Sequence, residues 1–158
     1  MLFFKTVEKI NDFLMKLAGI GFLFMVGITC ADIVLRLVWK PIIGAVELVM
    51  YVNAVCVAFA LGATQIKKGH ISVDILVSSF GKQKRKALSF INSILCIGFF
   101  SLVSWQISKY ATTLLKTGEL SETLKIPYYL YVYATSLGCF TLILVFVCDL
   151  VKVFYKEE

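Results

Sequence analysis

Four long stretches of the chain carry no formal charge: Leu17–Ala31, Leu48–Ile66, Ala87–Ser108 and Ile126–Cys148. The third is twenty-two residues long and the fourth twenty-three, close to the ~20 apolar residues a helix needs to cross a bilayer. Lipid offers no partner to a backbone donor or acceptor, so such stretches are read as helices whose hydrogen bonds close within the segment. Composition agrees: 59% of the 158 residues are apolar and 16% charged, where a soluble domain averages about 25% charged residues. The expectation is an all-α integral membrane protein, one membrane domain over residues 1–158 with four transmembrane helices.

Span boundaries follow from the punctuation. Residues 2–16 alternate Lys5, Glu8, Lys9, Asp12 and Lys16 with Phe3, Val7, Ile10, Phe13 and Leu14, the three-to-four spacing of an amphipathic helix. This extension leads into a first span over about 13–39, expected to stay uncleaved because acidic residues intrude and no small-x-small site stands out. Pro41 closes it. The second span covers about 44–66, the third about 87–108, and the fourth about 127–150, with Pro127 in its first turn. Residues 71–80 place Val73, Leu76, Val77 and Phe80 on one face. Ten residues are too few to cross, so an interfacial helix is expected there.

The net charge of +6 would suggest nucleic acid for a soluble chain, but in a membrane protein it reads as an orientation signal. Eleven Lys and Arg lie in the N-terminal segment, the 67–86 loop and the tail, and five on the other side: Arg36, Lys40, Lys109, Lys116 and Lys125. Both termini are therefore expected in the cytoplasm, with no nucleic-acid partner. Trp39, Tyr51, Trp105, Tyr110, Tyr128, Tyr129, Tyr131 and Tyr133 gather toward the outer helix ends as a one-sided aromatic belt.

Polar and small residues within spans show where helices meet protein rather than lipid. On the first helix Ala18, Gly21, Met25, Thr29, Asp32 and Arg36 share a face. On the second, Glu47, Tyr51, Ala54, Ala58, Gly62 and Gln65 do so, with Ala54, Ala58 and Gly62 at small-xxx-small spacing. The third gathers Ser89, Ser93, Ser101, Ser104 and Ser108; the fourth carries Ala134, Gly138, Thr141 and Asp149. A charge within the bilayer costs ~2.5–3.5 kcal/mol on the insertion scale, so Asp32, Arg36 and Glu47 require partners. They read either as an ion or proton path, or as one internal cluster fixing helices one and two at the outer interface. His70 and Asp74, four residues apart, read as a pair holding the interfacial helix or as a reactive pair.

The five cysteines, Cys30, Cys56, Cys96, Cys139 and Cys148, form no CxxC pair and lie in apolar stretches, where they act as small hydrophobes. No nucleophile–base pair, phosphate loop or metal-ligand cluster is visible, and a lone histidine is a poor basis for haem or zinc. The expectation is no enzyme and no cofactor in this chain.

Taken in order, these residues form a pattern: Arg36, then Gly44-Ala45-Val46-Glu47-Leu48, Gly62, Lys68-Gly69-His70-Ile71-Ser72-Val73-Asp74-Ile75-Leu76, Lys84-Arg85, and Thr123-Leu124-Lys125-Ile126-Pro127. This resembles the small membrane subunit, the DctQ-like family, of tripartite ATP-independent periplasmic (TRAP) transporters, over about residues 5–152. The resemblance implies a noncatalytic four-helix subunit of the bacterial inner membrane, bound as a heteromer to a large subunit that carries the substrate and sodium sites. It also implies a periplasmic binding protein delivering an organic acid, such as a C4-dicarboxylate or sialic acid. By position, Asp32, Arg36, Glu47, Ala54, Ala58, Gly62, His70 and Asp74 become structural or subunit-interface candidates. Trp39, Lys40, Lys116, Glu119, Glu122, Lys125 and Tyr128 become candidates for docking the binding protein. The alternative from the residues alone is a self-sufficient, proton-coupled transporter working as a homodimer, with Glu47 or Asp32 as the coupling carboxylate.

Overall fold

A computed structural model describes residues 2–67 and 82–155, and these residues contain four α-helices and no strand. They are α1 (Leu2–Val38), α2 (Ala45–Ile66), α3 (Lys82–Thr117) and α4 (Tyr129–Tyr155). All four are long and apolar enough to span a membrane. The 71–80 segment, with His70 and Asp74, lies outside the described residues.

The helix ends refine the sequence reading in three places. The amphipathic extension and the first span form one continuous helix, because no proline interrupts residues 2–38. At 37 residues, α1 is ~55 Å long against a ~30 Å hydrocarbon core. The third helix runs nine residues past Ser108, the expected end of the third span. Lys109–Thr117 is rich in good helix formers and holds no glycine or proline. The helix stops at Gly118, whose positive φ of 67° lets its N–H bond to the Leu114 carbonyl at 3.0 Å. In the fourth helix Pro127 stands outside the first turn, and the Tyr128 carbonyl receives the first N–H groups, from Tyr131 and Val132.

The helices pack as an open row, α1–α2–α4–α3, with a small contact between α1 and α4. Among the described residues α3 packs on α4 alone. The least exposed residues of α1 are Val7, Asn11, Leu14, Ala18, Gly21, Met25, Ile28 and Asp32, an alternating four–three step that is the 3.5-residue seam of a coiled coil. Ile28 replaces the expected Thr29, and Ile10 and Phe13 of the amphipathic face are exposed. On α3 the same step runs through Ser93, Ile97, Phe100, Ser104, Ile107, Ala111 and Leu114.

Small residues bring the backbones together. A Cβ on Gly138 of α4 would sit 2.7 Å from the Ala58 backbone of α2, and a Cβ on Gly21 of α1 would press on Cys56 Sγ. Ala18, Met25, Cys56 and Phe59 form the α1–α2 core, and Val7, Val145 and Cys148 join α1 to α4 near the termini.

Candidate functional site

The two ends of the row differ in what organises them. One end, here the loop end, carries the connections 39–44 and 118–128; the other carries both termini. At the loop end two carboxylates each hold a connection by its backbone.

Asp32, in the second-last turn of α1, is 7% exposed. Its Oδ1 accepts the Ile42 N–H at 2.8 Å, and its Oδ2 accepts Arg36 Nε–H at 2.7 Å. It thereby folds the α1–α2 connection back onto α1. Such a carboxylate receives charge-assisted bonds, roughly twice as strong as neutral ones.

Glu47, in the first turn of α2, reaches across to the other connection. Its Oε1 accepts the Glu122 N–H at 3.0 Å, and its Oε2 accepts those of Thr123 at 3.3 Å and Leu124 at 3.0 Å. The Tyr51 hydroxyl donates to Oε1 at 3.4 Å. The expected joint cluster of Asp32, Arg36 and Glu47 therefore divides in two. Helical geometry gives the reason. Glu47, Tyr51, Ala58 and Gln65 lie within ~40° of one another, roughly opposite the residues Val49, Val52 and Cys56 that face α1.

The 118–128 connection is built to be held this way. Ser121, 2% exposed, donates its N–H to the Ile126 carbonyl at 3.0 Å, and its Oγ accepts the Ile126 N–H at 3.3 Å. Lys125 inside this loop adopts φ 52°, a left-handed conformation that L residues take at a cost of order 1–3 kcal/mol. Leu124 covers Gly44, which has φ 81° and no room for a Cβ. That glycine must stay a glycine on both counts.

Aromatic rings close the same region. Tyr51 stacks with Tyr128 at 5.4 Å and with Tyr131 at 5.6 Å between centroids. Tyr128 donates to Glu119 Oε2 at 3.0 Å. Its hydrogen bond with Tyr110, then burial and Glu119, hold its hydroxyl above the ordinary tyrosine value.

The predicted small-residue face is used unequally. Ala58 is buried against Gly138, and Gly62 is buried against the Asn11 side chain of α1, while Ala54 is exposed. At the terminal end Gln65 donates to Asp149 Oδ2 at 3.1 Å, joining α2 to α4. Among the described residues no group of three His, Cys, Asp or Glu side chains is arranged to hold a metal.

The chain matches the family described as tripartite ATP-independent periplasmic transporters, DctQ component, over residues 25–155. It belongs to that family. Comparison with curated proteins and with solved structures found no match. The family makes this chain the small membrane subunit of a TRAP transporter, a multi-pass membrane protein whose family implies a large membrane subunit and a binding protein as partners.

In this DctQ component every docking candidate sits at the loop end: Trp39 and Lys40 after α1, Lys116 in the last turn of α3, and Glu119, Glu122, Lys125 and Tyr128 in the 118–128 connection. Glu119 and Tyr128 are bonded to each other, and Glu122 offers its backbone N–H to Glu47. Residues that sequence reasoning passed over carry much of the geometry. Ser121 gave no signal beyond being a serine in a loop. Asn11, 1% exposed, has its Nδ2 on the Val7 carbonyl at 2.9 Å and no partner for Oδ1. Its signal was available as a polar residue in register with Val7, Leu14 and Ala18.

Proposed function

We propose that this DctQ component is a noncatalytic subunit of the bacterial inner membrane that holds a large transport subunit in place. The transporter is sodium-coupled and carries organic acids of the C4-dicarboxylate or sialic acid class, with sodium and substrate sites in the large subunit. The loop end faces the periplasm and helps dock the substrate-binding protein, and both termini lie in the cytoplasm.

The observation that carries this reading is the use made of Asp32 and Glu47. Both lie in spanning helices, where an acidic residue is a transport-site candidate by default. Both are taken up by the chain's own donors, two on Asp32 and four on Glu47, three of these four from a connecting loop's backbone. A carboxylate so engaged orders structure. The competing homodimeric transporter needs one free to load and release a proton.

The test is a Glu47→Gln change in the chain co-expressed with its large subunit. Uptake is expected to fall only as far as the amount of assembled complex falls. Normal assembly with abolished proton-linked uptake would overturn the proposal. A stable, active 17.7 kDa species purifying without any partner would do the same.

A further inference from the structure

The loop end holds cations that the fold leaves unmatched. Arg36 gives its Nε–H to Asp32, but its side chain is 54% exposed and the described contacts assign nothing to its two terminal nitrogens. Lys40, four residues on, is exposed, with no described ion pair. Trp39 between them is 80% exposed. Asp32, the one carboxylate within residues 29–44, has both oxygens committed, to Arg36 and to Ile42. One carboxylate against two cations leaves a net positive charge at the end of α1.

Beneath Arg36, on the same side of the helix, come Ile33, Thr29, Val26 and Phe22, all within ~80° of it. Ile33, Val26 and Phe22 are exposed, and the Thr29 hydroxyl is turned back onto the Met25 carbonyl at 2.8 Å. This line presents no free polar group. It runs fourteen residues from Arg36 to Phe22, ~21 Å along the axis, enough to line one leaflet of a ~30 Å core.

We propose that Arg36, Trp39 and Lys40 bind the phosphate of a phospholipid in the leaflet at the loop end, with an acyl chain along Ile33, Thr29, Val26 and Phe22. The planar guanidinium is suited to phosphate, and its hold on Asp32 through Nε fixes its orientation while leaving the terminal nitrogens for the ligand. A tryptophan at headgroup level suits the same interface. The inference stands independently of which solute the assembled transporter carries.

Trp39 reports on the site directly. The chain has two tryptophans, so Trp105→Phe leaves Trp39 as the sole one. In that background, phosphatidylglycerol brominated in its upper acyl chain is titrated into the delipidated, detergent-solubilised chain. Saturable quenching of Trp39 is expected, weakened about fivefold by Lys40→Gln and again by Arg36→Gln, and unchanged by Lys16→Gln at the opposite end. Because Arg36→Gln also strips Asp32 of its ion pair, Arg36→Lys keeps the charge while removing the planar donors, and Lys40→Gln disturbs no described contact. Equal quenching in the parent and in both charge-removing variants would overturn the proposal and leave these cations to an acidic segment of a protein partner. Displacement of the lipid by an equal concentration of inorganic phosphate would also overturn it, since the acyl track would then contribute nothing.

Discussion

Helices α3 and α4 are adjacent and both apolar enough to span a membrane, yet they are used differently. In the most apolar window of α4, 39% of residues are buried, against 11% in that of α3. Between α2 and α1 the contrast is small, 22% against 17%. The central helices α2 and α4 each have a neighbour on two sides, whereas α1 and α3 bury one coiled-coil seam and present the rest outward. Lipid is as apolar as leucine, so hydrophobicity cannot choose which helix goes inside. Small residues and matched polar pairs make that choice, and these concentrate on the seams of α2 and α4.

The strongest way to break the comparison is to put a methyl group on each kind of helix. Gly138→Ala places a Cβ 2.7 Å from the Ala58 backbone, which has nowhere to move, so α4 must separate from α2. Overpacking of this kind costs about 3 kcal/mol. Gly98→Ala on α3 meets nothing within 4 Å and is expected to stay within about 0.5 kcal/mol of the parent. Thermal unfolding in detergent checks both. Equal effects would mean that α2 and α4 are not packed more closely than the flanking helices.

A smaller effect is expected at the terminal end, where Gly62 of α2 meets Asn11 of α1. Gly62→Ala collides with the end of a side chain rather than with backbone, so a rotamer change absorbs part of the strain, leaving about 1–2 kcal/mol. Asn11→Ala removes both the obstacle and an orphaned carbonyl oxygen. In the double variant the two costs should fall short of their sum by at least ~0.5 kcal/mol, the coupling that a shared contact produces. Strict additivity would remove this contact from the account of how α1 finds its register on α2.

These positions also show how far the fold could be read beforehand. Charge-free length located the spans because the bilayer dictates both length and helicity. It missed the run of α3 past Ser108, since Lys109 ends the charge-free stretch while nothing in Lys109–Thr117 breaks a helix. Asp32 with Arg36 was legible because a four-residue step on one helix brings side chains together. The role of Glu47 was not legible in this way. Its partners are backbone amides of residues 122–124, more than seventy positions away, and any residue type supplies an amide. Ser121 and the left-handed Lys125 are hidden for the same reason: a loop knotted by main-chain bonds leaves little trace in side-chain chemistry.

The smallest expected effect concerns the one interface that α3 has among the described residues. Ser104 Oγ lies 3.3 Å from both the carbonyl and the hydroxyl of Ser136, and Ser136 Oγ donates back to the Ser104 carbonyl at 3.0 Å. Both serines are buried at the α3–α4 seam, well within the spanning segments. Intuition values such a pair highly in lipid, but the separated helices also find partners for their hydroxyls, within their own turns or with other chains. Measured couplings in membrane bundles accordingly average about 0.6 kcal/mol. A double-mutant cycle of Ser104→Ala and Ser136→Ala, read by unfolding in detergent, should return a coupling of that size. A value near 3 kcal/mol would place α3 among the firmly locked helices and dissolve the distinction drawn between flank and centre. A value near zero, with Ala111 and Leu114 unchanged, would mean that the apolar part of the seam alone holds α3 in the row.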